Sequence, residues 1–159
     1  MPAFEKLMAT LDYPMFIVTA RDAGERSGCL VGFATQASIH PPRFVAGLSK
    51  KNHTYRVARH ARHLAVHFVP ADGVELAELF GGETGDEVDK FARCAWQEGP
   101  CGLPILDGCE NWFVGAVAER LDLGDHIGFL LEPVAAEYGS EGRQFTFHRA
   151  KRIEPGHEP

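Results

Sequence analysis

Two short stretches of the chain combine residue types that can hold a phosphorylated aromatic molecule. The run Thr35-Gln36-Ala37-Ser38 offers hydroxyls, an amide and backbone N–H groups to the polar edge of a heterocycle. The run Lys50-Lys51-Asn52-His53-Thr54 places two cations and a capping asparagine at the start of a predicted helix, where unpaired N–H groups attract anions. The alternatives are a polar loop for the first run and an ordinary capped, solvated helix for the second.

Two further motifs bring acids, bases and aromatic rings together. Asp89-Lys90-Phe91 sets an acid, a base and an aromatic side by side on a predicted helix, although an amphipathic helix face explains the same pattern. Gly124-Asp125 predicts a tight turn that presents His126 at the start of a strand. A histidine there can donate a hydrogen bond, bind an anion or exchange protons near neutrality. The alternative is a turn that carries a histidine by chance.

Other common sites are not predicted. His60, His63 and His67 invite a metal interpretation, but a helix-to-strand change separates the first two and no acidic or Cys ligand stands at fixed spacing beside them. We therefore predict no metal. The chain has no G-x-G-x-x-G after a strand, no P-loop and no G-x-S-x-G motif, so a Rossmann nicotinamide site is not expected.

Composition limits the partners and the compartment. A chain of 159 residues has the size of one domain, and its net charge of −6 argues against general nucleic-acid binding. No segment approaches the roughly 20 apolar residues of a membrane span. The first ten residues include Glu5 and lack a long apolar run, and the four cysteines form no C-x-x-C pair. The expected location is the cytoplasm, without a membrane partner.

Short segments with apolar and β-branched residues predict a fold rich in strands. A polar tail over residues 151–159 is expected to fray. We predict strands over residues 13–20, 28–34, 43–49, 64–68, 112–118, 126–131 and 144–148, and helices over residues 52–61, 74–80 and 86–95.

Taken in order, these motifs resemble the flavin reductase-like, FMN-binding split-barrel family. Tyr13–Thr19 looks like its first strand, and Ala34–Pro42 is similar to its N-x-x-T-x-x-S-x-x-P-P stretch. Ser49–Tyr55 resembles its phosphate-side segment. Asp89–Phe91 resembles its D-[KR]-F motif and Gly124–His126 its G-D-H motif, so that the likeness covers about residues 8–135. Gly32 and Ala34 stand where the family often has Asn and Ser or Thr.

The resemblance implies a fold and a site. The fold would be mainly β, a six-stranded antiparallel Greek-key split barrel with short peripheral helices, over residues 1–150. Two copies would form a homodimer with the flavin near the interface. His126 would be the catalytic residue, on the nicotinamide side. The implied cofactor-binding residues are Thr35, Gln36, Ala37, Ser38, Ser49, Lys50, Lys51, Asn52, Thr54, Lys90 and Phe91.

The resemblance also implies a flavin-dependent oxidoreductase. The leading hypothesis is an NAD(P)H:flavin reductase that transfers hydride from a nicotinamide to FMN or FAD and can supply a monooxygenase partner. One alternative is a flavoprotein with bound FMN, or a deazaflavin, that acts on another substrate. Another is a non-catalytic flavin- or haem-binding protein. The sequence leaves these alternatives open.

Overall fold

The computed structural model describes residues 1–82 and 88–153. Its strands are β1 (Phe16–Asp22), β2 (Glu25–Val31), β3 (Ala34–Ser38), β4 (Arg43–Ser49), β5 (His63–Phe68), β6 (Trp96–Glu98), β7 (Pro104–Leu106), β8 (Asn111–Asp122) and β9 (His126–Tyr138). Its α-helices are α1 (Pro2–Ala9), α2 (His53–Ala58), α3 (Val74–Gly82) and α4 (Phe147–Ala150). Two 3-10 turns, Lys90–Ala92 and Pro100–Gly102, lie between α3 and β7.

One antiparallel sheet dominates the fold. Seven strands pair in the order β2-β1-β5-β8-β9-β4-β3, while β6 and β7 form a separate pair. The predicted mainly β, antiparallel class is confirmed, with seven strands in the main sheet instead of six. Residues 35–38, for which a polar loop was one interpretation, form the edge strand β3 together with Ala34 because their backbone pairs with β4.

The sheet curves around a buried core, so strands far apart in its order meet. Cys29 and Val31 of β2 lie in the same buried cluster as Ala46 and Leu48 of β4. Helix α2 covers this core with an apolar face that includes Val57. The cluster consists of Phe16, Val18, Ala20, Cys29, Val31, Ala46, Leu48, Val57, Ala58, Ala61, Leu64, Val66, Phe129 and Leu131.

A second buried cluster lies on the other face of β1. There, Met15 and Ile17 pack with Phe80 of α3 and with Phe91. Part of the helix predicted over residues 86–95 lies outside the described residues, and the described part contains only the 3-10 turn Lys90–Ala92. Burial of Phe91 in this cluster fixes that turn against the sheet.

The C-terminal segment differs from its prediction. The strand predicted over residues 144–148 is wrong, because Gln144 and Thr146 form only isolated bridges and Phe147–Ala150 is helical. The first residues of the predicted frayed tail continue this turn, since the Ile153 N–H donates to the Ala150 carbonyl over 2.8 Å. Residues 154–159 of that tail lie outside the described residues.

Helix α1 was not predicted and buries none of its residues. Phe4 is 55% exposed and Leu7 is 61% exposed, and Met8 in the helix and Leu11 just after it are exposed as well. An exposed apolar stripe normally packs against another surface. Among the helices of the described residues, none has the length and apolar character needed to cross a membrane.

Candidate active site

The connection between β4 and α2 forms the centre of the candidate site. Ser49 ends β4, and the Lys51 N–H donates to its Oγ over 3.3 Å. Asn52 caps α2, with its side-chain oxygen accepting from the Thr54 N–H over 2.8 Å. Helix α2 has only six residues, so its dipole is small. An anion bound here would be recognised mainly by side chains, because the N–H groups of Lys50, Lys51, Asn52 and Thr54 already donate within the protein.

The turn between β8 and β9 is fixed to this connection. The Lys50 N–H donates to the Asp125 carbonyl over 2.9 Å, and Lys50 Nζ lies 3.0 Å from Asp122 Oδ1. The hydrogen bond from Lys50 holds the pKa of Asp122 below its usual range. The Lys50 ammonium therefore joins the two loops.

His126 lies directly beside the end of β4. It pairs with Ser49 in the β4–β9 ladder, and its ring centroid is 4.8 Å from that of Phe33. His126 Nδ1 lies 2.7 Å from Asp125 Oδ1, and this hydrogen bond lowers the pKa of Asp125. A carboxylate only accepts, so Nδ1 carries hydrogen and Nε2 remains as the second polar atom of the ring. The side chain is 20% exposed, which leaves it within reach of a ligand.

The run Thr35-Gln36-Ala37-Ser38 forms an edge strand. It pairs with β4 on one side, with a bulge between Gln36 and Ser38. Among the described residues, no strand pairs with its other side. Thr35, Gln36 and Ala37 are exposed, so N–H and carbonyl groups along this edge can bind the polar edge of a heterocycle.

Thr54 points into the protein. It has no exposed surface, and its Oγ1 lies 2.8 Å from Ser27 Oγ. Ser27 Oγ also lies 2.8 Å from His53 Nδ1, and His53 Nε2 lies 2.8 Å from Glu25 Oε1. Thr54 therefore anchors the start of α2 to β2. Sequence spacing gave no signal for this network, because Ser27 and Thr54 are 27 positions apart in the chain.

Lys90 and Phe91 lie next to β2, in contact with the second buried cluster. Both are buried, and Lys90 Nζ donates to the carbonyls of Gly28 and Phe80 over 3.0 Å each. Phe91 packs edge-on against Phe80 and Trp96. Gly28 follows Ser27, so Lys90 supports the strand beside the candidate site from the side on which Phe80 packs.

The hydrogen bonds of His67 go to backbone groups. His67 is buried, with Nδ1 2.9 Å from the Ile17 carbonyl and Nε2 accepting from the Leu106 N–H over 3.1 Å. Within residues 1–82 and 88–153, no three His, Cys, Asp or Glu side chains are grouped to hold a metal ion. His67 instead satisfies two buried backbone groups.

Comparison with known proteins assigns this arrangement to a family. Residues 8–154 match the family described as flavin reductase like domain. The chain belongs to this family. The match covers the main sheet, the β4–α2 connection and the β8–β9 turn, which together carry the candidate site.

Curated relatives of this flavin reductase-like chain include reductases. It is 28% identical over 131 residues to the reductase component of 4-hydroxyphenylacetate 3-monooxygenase from Pseudomonas aeruginosa, covering 82% of this chain and 77% of that protein. It is 26% identical over 132 residues to an FMN reductase (NADH) from Serratia proteamaculans, covering 83% of this chain and 75% of the relative.

Solved structures share the fold. A flavin reductase domain protein from Arthrobacter superposes with a TM-score of 0.84 at 23% identity, covering 93% of this chain and 91% of the other. This likeness shows the fold alone. An FMN-binding protein from Thermus thermophilus with bound p-hydroxybenzaldehyde gives a TM-score of 0.76 at 27% identity, covering 83% and 74% of the two chains.

The described side chains of this flavin reductase-like protein fit a flavin phosphate ester. Asn52 and the Ser49 hydroxyl provide polar groups at the end of β4, and Lys51 provides a positive charge. The edge strand β3 offers backbone groups to a heterocycle, and Phe33 is 61% exposed beside His126. These features supply a cation, hydrogen-bonding groups and an aromatic surface within one region.

Two substitutions of Asn52 separate capping from phosphate binding. Asn52→Ala is expected to lower the free energy of unfolding by about 1 kcal/mol, because the Thr54 N–H loses its acceptor. Asn52→Asp keeps that acceptor but adds a negative charge, so stability should be retained while the Kd for FMN rises. Urea unfolding and flavin titration measure the two effects. An unchanged Kd for FMN in Asn52→Asp would remove Asn52 from the phosphate site.

Proposed function

We propose that this protein is an NAD(P)H:flavin reductase that transfers hydride from NADH or NADPH to FMN, with FAD as a second acceptor. The observation that carries the proposal is the placement of His126. This histidine pairs with Ser49 at the start of the β4–α2 connection and is oriented by Asp125. Family membership over residues 8–154 and the reductase relatives support the same chemistry.

In this proposal the predicted cofactor residues fall into two groups. The first group contacts the flavin: Ser49, Lys51 and Asn52 bind the phosphate, and the edge strand from Thr35 to Ser38 binds the polar edge of the ring. The second group does not contact the flavin but holds the first group in place. Thr54 anchors α2 through Ser27, Lys50 joins the β8–β9 turn to the connection, and Lys90 with Phe91 supports β2 from behind.

The chain's own groups then bind and orient the reactants. A bound flavin supplies the hydride-accepting chemistry. Asp125 holds His126 with Nδ1 protonated, so Nε2 is the atom that meets the nicotinamide donor. The Phe33 ring lies beside the imidazole, with the two centroids 4.8 Å apart and the ring planes tilted by 49°. Orientation matters because hydride transfer requires the two rings to stack closely.

We also propose that two copies form a homodimer and that a monooxygenase component is the partner that takes up reduced flavin. An apolar stripe formed by Phe4, Leu7 and Met8 of α1 and by Leu11 just after the helix supports the dimer, because the described part of the chain leaves it uncovered. The monooxygenase reductase relative supports the partner. Light scattering of the purified protein tests the dimer.

A second candidate is a flavoprotein that keeps FMN bound and acts on another substrate. The likeness to the FMN-binding protein with bound p-hydroxybenzaldehyde favours it. The absorbance of the purified protein separates the candidates. A colourless protein that reduces added flavin supports the reductase, whereas a flavin spectrum near full occupancy supports the bound prosthetic group.

Steady-state oxidation of NADH and NADPH in the presence of FMN or FAD tests the leading function. We expect a flavin-dependent rate with at least one donor, and a higher kcat/KM with FMN than with FAD. The absence of a flavin-dependent rate with both donors would overturn the proposal. Omission of flavin from the same assay provides the control.

A further inference from the structure

Positive charge is concentrated in one short segment of an acidic protein. Residues 50–63 contain five Lys and Arg, three His and no Asp or Glu. The rest of the chain carries eleven Lys and Arg against twenty-two Asp and Glu. A local cluster of this kind attracts anionic ligands even when the whole protein is negative.

The C-terminal end of this segment is exposed and not neutralised. Arg59, His60 and Arg62 are exposed, and within the described residues their side chains form no ion pair or hydrogen bond. Arg43 and Lys50, by contrast, pair with Glu132 and Asp122. We call Arg59, His60 and Arg62 the basic track.

A groove of about 370 Å³ lies at the end of the basic track. Its walls are the β1–β2 turn, residues 60–63 and residues 101–103, with Asp22 as its acidic residue. The Arg21 guanidinium faces this groove, held by the Gly102 carbonyl at 3.1 Å and by the Glu98 carboxylate. A guanidinium fixed in this way offers a flat surface on which an aromatic base can stack.

The groove and the candidate phosphate site lie at opposite ends of α2. The helix has six residues and is therefore about 9 Å long. A nucleotide whose first phosphate lies near Asn52 can extend along the exposed side of α2 toward Arg59 and Arg62. Because the groove is concave and within the size range of small-molecule pockets, it favours a small ligand over a flat protein surface.

We propose that the basic track and its groove bind the adenosine diphosphate moiety of a dinucleotide. The track would meet the phosphate next to the adenosine, and the groove would hold the adenosine, with Arg21 against the base. The moiety comes either from FAD or from NAD(P)H, and the experiment distinguishes these sources. The inference rests on the proposed function for the place of the first phosphate.

The test compares dinucleotides with mononucleotides. Arg59→Gln/Arg62→Gln removes two charges from the track, and Lys6→Gln/Arg152→Gln removes the same number from exposed positions elsewhere. Kd values for FMN, FAD and ADP-ribose are measured by titration. KM values are measured for NADH and for reduced nicotinamide mononucleotide, which lacks the adenylate.

We expect the track variant to weaken ADP-ribose binding by about tenfold or more, the scale of one charge-assisted hydrogen bond. If FAD supplies the moiety, its Kd rises about tenfold while that for FMN changes less than about twofold. If NADH supplies it, the KM for NADH rises while that for reduced nicotinamide mononucleotide does not. The control variant should leave these ratios unchanged.

Equal losses for mononucleotides and dinucleotides would overturn the inference, because they indicate general attraction of anions. Unchanged dinucleotide binding would also overturn the inference. An acidic protein surface would then be the candidate partner of the basic track. Failure of the proposed function has a different signature, since wild-type protein would then show no flavin-dependent oxidation of NADH or NADPH. In that case the Kd values of the track variant and of wild type for FAD, FMN and ADP-ribose can still be compared.

Discussion

Replacing His126 with alanine is expected to lower kcat/KM for NADH by about 10- to 100-fold while changing the Kd for flavin by less than about twofold. The estimate corresponds to one hydrogen bond to a charged or polarised group, about 1.5–3 kcal/mol. His126 meets the nicotinamide side in our proposal, whereas Ser49, Lys51 and Asn52 hold the flavin phosphate. The structure supports this division because Asp125 orients the imidazole and Phe33 packs on it.

His148→Ala provides a matched control. His148 also has a carboxylate neighbour, with Nδ1 3.7 Å from Asp12 Oδ2, but it lies in α4. Stopped-flow mixing of NADH with the protein–flavin complex measures hydride transfer directly. If His126→Ala weakens flavin binding and leaves the transfer rate intact, His126 belongs to the cofactor site and not to the donor side.

Local sequence predicted those parts of the site that depend on neighbouring residues. Asn52 caps α2, and His126 begins β9 after a turn at Gly124, as their residue types indicated. Both features follow from backbone preferences that act over a few residues. The order of motifs along the chain then indicated the family, which the match over residues 8–154 confirms.

Features that depend on packing could not be predicted from short patterns. Thr54 and Lys90 are polar residues of the recognised motifs, yet both are buried. Their polar atoms find partners on β2, where Ser27 Oγ contacts Thr54 and the Gly28 carbonyl accepts from Lys90. The run from Thr35 to Ser38 has loop composition but becomes a strand because β4 offers a free edge. Sheet pairing and burial are set by residues distant in sequence, which overrides local propensity.

Protein stability is expected to fall between pH 7.5 and pH 5 through the buried His67. Burial lowers the pKa of His67 to about 4, from an ordinary value of 6.5. Below pH 6.5 the unfolded chain binds a proton that the folded protein excludes, so stability is lost as the pH falls toward 4. The shift corresponds to roughly 3 kcal/mol in total and to roughly 2 kcal/mol by pH 5.

Two substitutions of His67 separate titration from hydrogen bonding. Glutamine offers an N–H donor to the Ile17 carbonyl and an acceptor to the Leu106 N–H, but it does not titrate. His67→Gln should therefore lose less stability than wild type between pH 7.5 and 5. His67→Leu leaves both backbone groups unpaired and should lower the free energy of unfolding by about 3 kcal/mol at pH 7.5. The deficit should shrink to roughly 1 kcal/mol at pH 5, because wild type loses roughly 2 kcal/mol there and leucine does not titrate.

Urea unfolding of the three proteins at both pH values measures these differences. Other titrating groups act equally in wild type and in His67→Gln, so their contributions cancel when the two pH dependences are subtracted. Equal pH dependence in the two proteins would show that His67 does not exclude its proton in the folded state. Such a folded protein would contain a protonated imidazole at pH 5. A protonated imidazole cannot accept from the Leu106 N–H, so the hydrogen-bonded link between Ile17 in β1 and Leu106 in β7 would be broken.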